Sequence, residues 1–223
     1  MRTAALIAAA GSGSRLGQGP KAFVSVRGST LLEHSLRAFA GHVDELVVAV
    51  PAEHAAGVMQ HQPGVTVVPG GTTRQASVAA MLAATDAPMV LVHDVARPFL
   101  TGSVIQRVKA AALAAGAATA ALDVADTVFD TLAGVTLDRS TLRLVQTPQG
   151  FDRQLLLEAH AAALASGVGA TDDADLVRRL GRRVELVPGS RLLHKVTEAG
   201  DLTVVEALYD LWQARLREAL VDG

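Results

Sequence analysis

The stretch Met89-Val90-Leu91-Val92-His93-Asp94-Val95-Ala96-Arg97-Pro98 decides how the rest of the chain is read. Its apolar start reads as a buried strand, and an imidazole, a carboxylate and a guanidinium follow directly. Open α/β sheets keep their ligands at the carboxyl ends of strands, so Asp94 and Arg97 stand where chemistry is expected. A carboxylate there can organise a metal ion and a ribose, and an arginine three residues on can hold an anion. Together they point to a phosphorylated nucleotide. Taken alone, the residues from His93 also read as a charged turn closed by Pro98.

Outward from this strand, β-type runs at 4–9, 46–50, 65–68 and 117–122 alternate with helical spacing, as in Leu32, Leu36 and Phe39 or Ile105, Val108 and Ala112. Such alternation makes βαβ units with parallel strands and right-handed crossovers. It predicts a three-layer α/β domain, Rossmann-like, with a mostly parallel sheet covered by helices on both faces.

The rhythm breaks after Leu122. The runs Thr127-Val128-Phe129-Asp130-Thr131-Leu132 and Val135-Thr136-Leu137-Asp138-Arg139 flank Ala133-Gly134 and read as a β-hairpin. A hairpin is marginal alone, so this insertion, about 123–141, reads either as an extended arm reaching over a partner subunit or as a hairpin folded back on its own domain. Beyond it come a run at 142–146, a helix over 154–165, a helix starting at Thr171 or Asp172, and a strand at 184–187. A last helix, with Asp201 able to cap it, carries the stripe Leu202, Val205, Tyr209, Trp212 and Leu216. The sole tryptophan reads as packing rather than base stacking.

The chain has 223 residues, 50% hydrophobic and 19% charged, enough for one sizeable core, so 1–223 is expected to be a single domain. A net charge of −2 gives no global basic surface, and a nucleic-acid polymer is not an expected partner. Any anion must be held locally. The absence of cysteine excludes disulfides, thiolate metal sites and cysteine nucleophiles. The apolar run behind Arg2 has the outline of a short signal peptide, but it leads straight into a glycine-rich loop and Lys21, which suits a first strand and its phosphate loop. The alanine-rich stretch 110–122 is too short to span a bilayer and is interrupted by Gly116. The expectation is a cytoplasmic protein with no membrane partner.

In Ala9-Ala10-Gly11-Ser12-Gly13-Ser14-Arg15-Leu16-Gly17, Gly11 and Gly13 let backbone N–H groups approach an anion. Arg15 and, further on, Lys21 supply counter-charge. A dinucleotide fingerprint would need glycine at Leu16, and the Gly-Lys-Ser/Thr of a Walker A loop is absent, which disfavours a nicotinamide-dependent dehydrogenase and an ATPase. Gly70-Gly71-Thr72-Thr73-Arg74-Gln75-Ala76-Ser77 exposes peptide groups that can read a nucleobase edge, and reads equally as a turn with a helix cap. The seven histidines form no HExxH or paired zinc pattern, and there is no Gly-x-Ser-x-Gly elbow.

These segments, with Asp126-Thr127, Leu137-Asp138-Arg139, Gln146-Thr147-Pro148-Gln149, Lys195-Val196-Thr197 and Asp201-Leu202, occur in an order that resembles the 2-C-methyl-D-erythritol 4-phosphate cytidylyltransferase family of the non-mevalonate isoprenoid pathway. The resemblance runs from about residue 4 to residue 212. It implies that Arg15 and Lys21 grip the triphosphate of CTP, and that Arg139 and Lys195 position the methylerythritol phosphate. It also implies a cytosine and ribose pocket from Ala9, Ala10, Gly11, Gly13, Gly71 and Ser77, with Asp94 beside the ribose and a Mg²⁺ held mainly by the CTP phosphates. Arg97, Thr127, Thr147 and Thr171 fall at substrate-lining positions. Thr127 and Arg139 would come from the other subunit of a homodimer.

Three departures bear on the acceptor pocket: Phe129 where many members have lysine, Arg143 where tryptophan is common, and Leu193-His194 in place of a frequent Asn-Ile. The implied reaction is in-line attack of an acceptor phosphate oxygen on the α-phosphorus of CTP, with pyrophosphate leaving. Its nucleophile is already anionic, so no strong base is needed and catalysis is positioning and charge neutralisation. A ribitol 5-phosphate cytidylyltransferase is the neighbouring alternative, and a non-catalytic nucleotide-binding regulatory protein the alternative from another class.

Overall fold

The computed structural model describes residues 1–221 except Arg15, Gln18 and Val168, with side chains as far as Arg217. The first half comprises β1 (Thr3–Ala8), β2 (Ser25–Val26), β3 (Ser29–Thr30), α1 (Leu31–Phe39), β4 (Glu45–Val50), α2 (Ala55–His61), β5 (Thr66–Pro69), α3 (Arg74–Ala83) and β6 (Met89–Asp94). The second comprises α4 (Gly102–Ala115), β7 (Ala117–Asp123), β8 (Val128–Asp130), β9 (Val135–Leu137), β10 (Arg143–Asp152), α5 (Arg153–Ser166), α6 (Asp173–Arg179), β11 (Glu185–Pro188) and α7 (Ala199–Val221).

Seven strands form one sheet in the order β11-β7-β10-β6-β1-β4-β5. Every pairing is parallel except those of β10, which runs antiparallel to both β6 and β7. The central strands read as continuous apolar runs because both faces are covered. Alternate residues go to opposite faces. Ala5 and Ile7 of β1 meet α1, α4 and α7 in one apolar cluster, while Ala4 and Leu6 meet α3, α5 and α6 in the other. Trp212 lies in the first cluster with no exposed surface, stacked on Phe99 and donating its indole N–H to the Leu100 carbonyl at 2.9 Å. It is a packing residue, as its helical stripe predicts.

From β1 the chain runs outward through β4 to β5, then returns to the other side of β1 as β6. The loops leaving β1 and β6 therefore diverge, and a crevice opens between their carboxyl ends. Among the described residues, no helix is long and apolar enough to cross a membrane.

Several local expectations are corrected. The run at 142–146 is the start of a ten-residue strand, β10, that carries Gln146-Thr147-Pro148-Gln149 into the sheet. Proline argues against a central strand, but the register with β7 shifts between Val145 and Gln149, and Pro148, which has no N–H to give, sits within that interruption. Asp201 is not the cap residue of α7. It lies in the first turn, and its Oδ2 accepts from the backbone N–H groups of Thr197 and Glu198 at 2.6 and 3.0 Å. The hairpin strands are shorter than their apolar runs because Asp130 Oδ1 takes the N–H groups of Leu132 and Ala133. Arg139 begins a 3₁₀ turn beyond β9, capped by the Asp138 carboxylate, which accepts from Ser140 N–H.

Helix α4 lies very close to β10 at Gly150, where an added Cβ would stand 2.9 Å from Ala112 Cβ and 3.0 Å from Val108 Cγ1. A Gly150→Ala protein is therefore expected to lose about 1–3 kcal/mol of folding stability. Urea denaturation checks this; an unchanged midpoint would mean that the sheet and helix have slack there.

Candidate functional site

Asp94, the last residue of β6, is buried and holds two cations. Arg74, the first residue of α3, donates from Nε to Asp94 Oδ1 at 2.8 Å, and Lys195 donates from Nζ to Oδ2 at 2.7 Å. Burial alone would raise the carboxyl's pKa, but the two cations outweigh it and hold Asp94 well below the usual carboxylate range. Asp94 is ionised throughout the neutral range and is no proton donor.

The Arg74–Asp94–Lys195 triad forms the wall between two clefts. One, of about 510 Å³, is lined by Ala10, Gly11, Ser12, Gly13, Lys21, Gly71 and Ser77 among others. The other, of about 740 Å³, is lined by Arg97, Arg143, Thr147, Thr171, Arg191 and His194 among others. All three wall residues face both spaces. A ligand group in one cleft can thus meet a group in the other across a single charged boundary.

The first cleft is floored by the glycine loop after β1. Gly13 has φ +66°, and a Cβ there would meet the Gly19 carbonyl oxygen at 2.1 Å, so no other residue fits this turn. Leu16, the residue that broke the dinucleotide pattern, is buried in the core and gives its N–H to the Gly13 carbonyl at 2.8 Å. It anchors the loop instead of lining it. Ser77 accepts from Gly71 N–H at 3.1 Å and donates to the Thr73 carbonyl at 3.0 Å, which fixes the second loop against α3. Ala9 is brought near but does not line the cleft, because it is buried and its N–H goes to the Ala49 carbonyl at 2.9 Å. Lys21 lines the cleft and donates to the carbonyls of Val196 and Thr197 at 2.9 and 3.3 Å, tying the glycine loop to the segment that carries Lys195. Arg15 lies outside the described residues.

The second cleft rests on a buried neutral chain of hydrogen bonds. His93 Nε2 faces the Arg97 carbonyl at 3.0 Å and Nδ1 faces Thr147 Oγ1 at 3.0 Å, while Thr147 Oγ1 also accepts from Asp94 N–H at 3.1 Å. A carbonyl only accepts, so Nε2 carries the hydrogen and Nδ1 accepts from the threonine hydroxyl. Every donor then has an acceptor. Burial drives the His93 pKa down to about 4, so the ring is neutral and structural. Arg97 donates from Nη1 to the Leu193 carbonyl at 2.6 Å, and burial lowers its pKa. Thr147 and Thr171 line this cleft.

Thr127 and Arg139 are not brought to either cleft of their own chain. Arg139 is exposed on the arm and donates to the Ala125 carbonyl, and the arm leaves Phe129, Leu132, Val135 and Leu137 exposed, Leu132 almost wholly. The sequence assigns no individual role to Arg74 or to Gln146, which clamps Ser190 through both of its side-chain polar atoms at 2.9 and 3.0 Å. Gln149, quoted above only as part of a motif, accepts from Ala174 N–H at 3.1 Å. Polar residues inside strands carry no local signal of such work.

Known proteins resemble this chain in sequence and fold. A family model described as IspD, 2-C-methyl-D-erythritol 4-phosphate cytidylyltransferase, matches residues 3–210. A Deinococcus radiodurans protein of that name is 55% identical over 212 residues, covering 93% of this chain and 89% of the relative. One from Thermus thermophilus is 48% identical, covering 96% of this chain and all of the relative. A crystal structure of the Thermus thermophilus cytidylyltransferase aligns with a TM-score of 0.82 at 45% identity over 93% of this chain and 98% of that one. A 4-diphosphocytidyl-2C-methyl-D-erythritol synthase structure from Anaerococcus prevotii aligns at 0.83 with 27% identity, covering 94% and 96%.

The folded chain protonates His93 only near pH 4, whereas an unhindered histidine takes its proton near 6.5. Between these values the unfolded chain binds the extra proton, so the stabilisation is complete above about pH 6.5 and falls as pH drops toward 4, by about 3 kcal/mol in all. Urea midpoints across that range should show this loss, and His93→Gln, which cannot titrate, should flatten it; an equal pH slope in both proteins would contradict the assignment.

Proposed function

This chain belongs to the 2-C-methyl-D-erythritol 4-phosphate cytidylyltransferase family, and from that premise we propose how its residues divide the work. It is a CTP-dependent nucleotidyltransferase that joins a cytidylyl group to 2-C-methyl-D-erythritol 4-phosphate, giving 4-diphosphocytidyl-2-C-methyl-D-erythritol and pyrophosphate in isoprenoid precursor synthesis. The observation that carries the division of labour is the charged wall with a glycine-floored cleft on one side and a cation-rich cleft on the other.

CTP takes the glycine side, with its base and ribose against Ala10, Gly11, Gly71 and Ser77 and its triphosphate toward Gly13, Arg15 and Lys21. The acceptor takes the other side, toward Arg97, Thr147, Thr171 and Lys195. The guanidinium groups of Arg74 and Arg97 and the Lys195 ammonium line the acceptor side and supply the positive charge that an anion there needs. The acceptor phosphate is already ionised, so these residues align two anions and neutralise the charge between them rather than move a proton.

A divalent ion is compatible with this donor set in one way only. Among the described residues, no group of three His, Asp or Glu side chains is placed to hold a metal. Asp94 is the carboxylate on the wall between the clefts, and each of its oxygens keeps a lone pair beyond its cation. It would offer Mg²⁺ a protein ligand, the rest coming from phosphate oxygens. Bound there, the ion would spread the negative charge of the triphosphate.

The whole of 1–223 is read as one cytoplasmic nucleotidyltransferase domain, with the arm at about 123–141 inserted for dimerisation. The arm's exposed apolar side chains support a homodimer in which each arm lies on the partner. Thr127 and Arg139 would then complete the partner's acceptor cleft.

Pyrophosphate release with CTP, Mg²⁺ and either methylerythritol phosphate or ribitol 5-phosphate tests the acceptor; faster turnover with ribitol 5-phosphate would overturn the choice. The arm is tested by mixing inactive Arg139→Ala and Lys21→Ala proteins, which should regain partial activity as subunits exchange. Proven heterodimers that stay inactive would place Arg139 in its own chain's site.

A further inference from the structure

Behind the wall lies a buried carboxylate–imidazole pair, Asp173 and His160, that lines neither cleft. Asp173, the first residue of α6 and 1% exposed, accepts from Arg74 Nη1 at 2.6 Å through Oδ2 and from His160 Nε2 at 2.9 Å through Oδ1. Neither Asp173 nor His160 lines the two spaces on either side of the triad. Burying a carboxylate is costly, and apolar residues of like volume would serve stability as well or better. An ionic chain at this place therefore calls for another account.

The two cations on Asp94 differ in freedom. The Lys195 side chain is 42% exposed and comes from an irregular segment, whereas Arg74 is 27% exposed and its guanidinium is held at both ends. An incoming phosphate can draw Lys195 away from Asp94, and Arg74 is then the cation left to fix the carboxylate. Arg74 opens α3, next to the Gly70-Gly71 loop of the nucleotide side, and Asp173 opens α6, next to Thr171 and Asp172 of the acceptor side.

We propose that Asp173 and His160 are positioning residues, which lock the Arg74 guanidinium across Asp94 and so keep the wall between the two substrates in one geometry when Lys195 turns to the acceptor. His160 Nε2 must carry a hydrogen, because the Asp173 carboxylate only accepts. Arg74 supplies a planar fork that reaches two carboxylates at once, which an ammonium cannot do. The device works on alignment, so its loss acts on kcat more than on CTP binding.

The inference rests on the cytidylyl-transfer reading, and wild-type turnover tests that reading separately. The experiment measures kcat, both KM values and the thermal midpoint for Asp173→Asn, Arg74→Lys and the double variant. Asp173→Asn should lower kcat by about ten- to a hundredfold while the KM for CTP stays within about twofold. In the Arg74→Lys background the same change should lower kcat no further, since its route of action is already cut. Should Asp173→Asn fail to fold, His160→Ala and His160→Gln replace it: the alanine should lower kcat, and glutamine, whose amide can donate to Asp173, should recover most of the loss. A thermal midpoint that falls with kcat unchanged, losses that multiply in the double variant, or equal kcat in the two His160 variants would overturn the proposal. A wild-type protein that releases no pyrophosphate would instead overturn the cytidylyl-transfer reading.

Discussion

One buried carboxylate organises the site. Asp94 sits at the end of the strand where the sheet changes direction, and its charge is tolerable there because Arg74 and Lys195 each take one of its oxygens. The ion pairs draw α3 and the segment after β11 onto the end of β6. Lys21 then ties the glycine loop to that same segment through the carbonyls of Val196 and Thr197. Asp94 thus gives these loops a shared charged contact, beside the Arg97–Leu193 and Val196–Ala96 hydrogen bonds that also hold the Lys195 segment to the loop after β6.

The same strand end separates charge from proton transfer. His93 and Asp94 are adjacent, but one points into the core and is held neutral by burial, and the other faces two cations and stays ionised. Thr147 links them by accepting from the Asp94 backbone and donating to the imidazole. A histidine beside an aspartate invites an acid–base reading. The geometry gives neither group that task, which suits a reaction whose nucleophile is already an anion.

Much of the architecture was legible because burial on both faces of a parallel sheet leaves continuous apolar runs in the sequence. The central strands and the flanking amphipathic helices follow directly from that pattern. Strand β10 shows in the sequence only as the run 142–146, and only the register shift against β7 shows how Pro148 is accommodated further along it. The two loops that line the glycine-floored cleft were readable from their glycines, and Gly13 has a conformation and a close neighbour that only glycine tolerates. Leu16 was read only as a departure from another motif. Its reason is packing, which local sequence does not display.

The amino-acid sequence by itself determined the layer order, the glycine-rich loop after the first strand, the placing of Asp94 and Arg97 at a strand end, and the family, because these rest on local periodicity and on short motifs. Tertiary structure alone decided which charges meet. Arg74 and Asp94 are twenty positions apart, Asp94 and Lys195 a hundred and one, and Arg74 and Asp173 ninety-nine, so no local pattern could pair them. The pairing follows from the chain crossing over the sheet, which brings the first turns of α3 and α6 and the Lys195 segment to the end of β6. A buried charge is stable only where such partners arrive together.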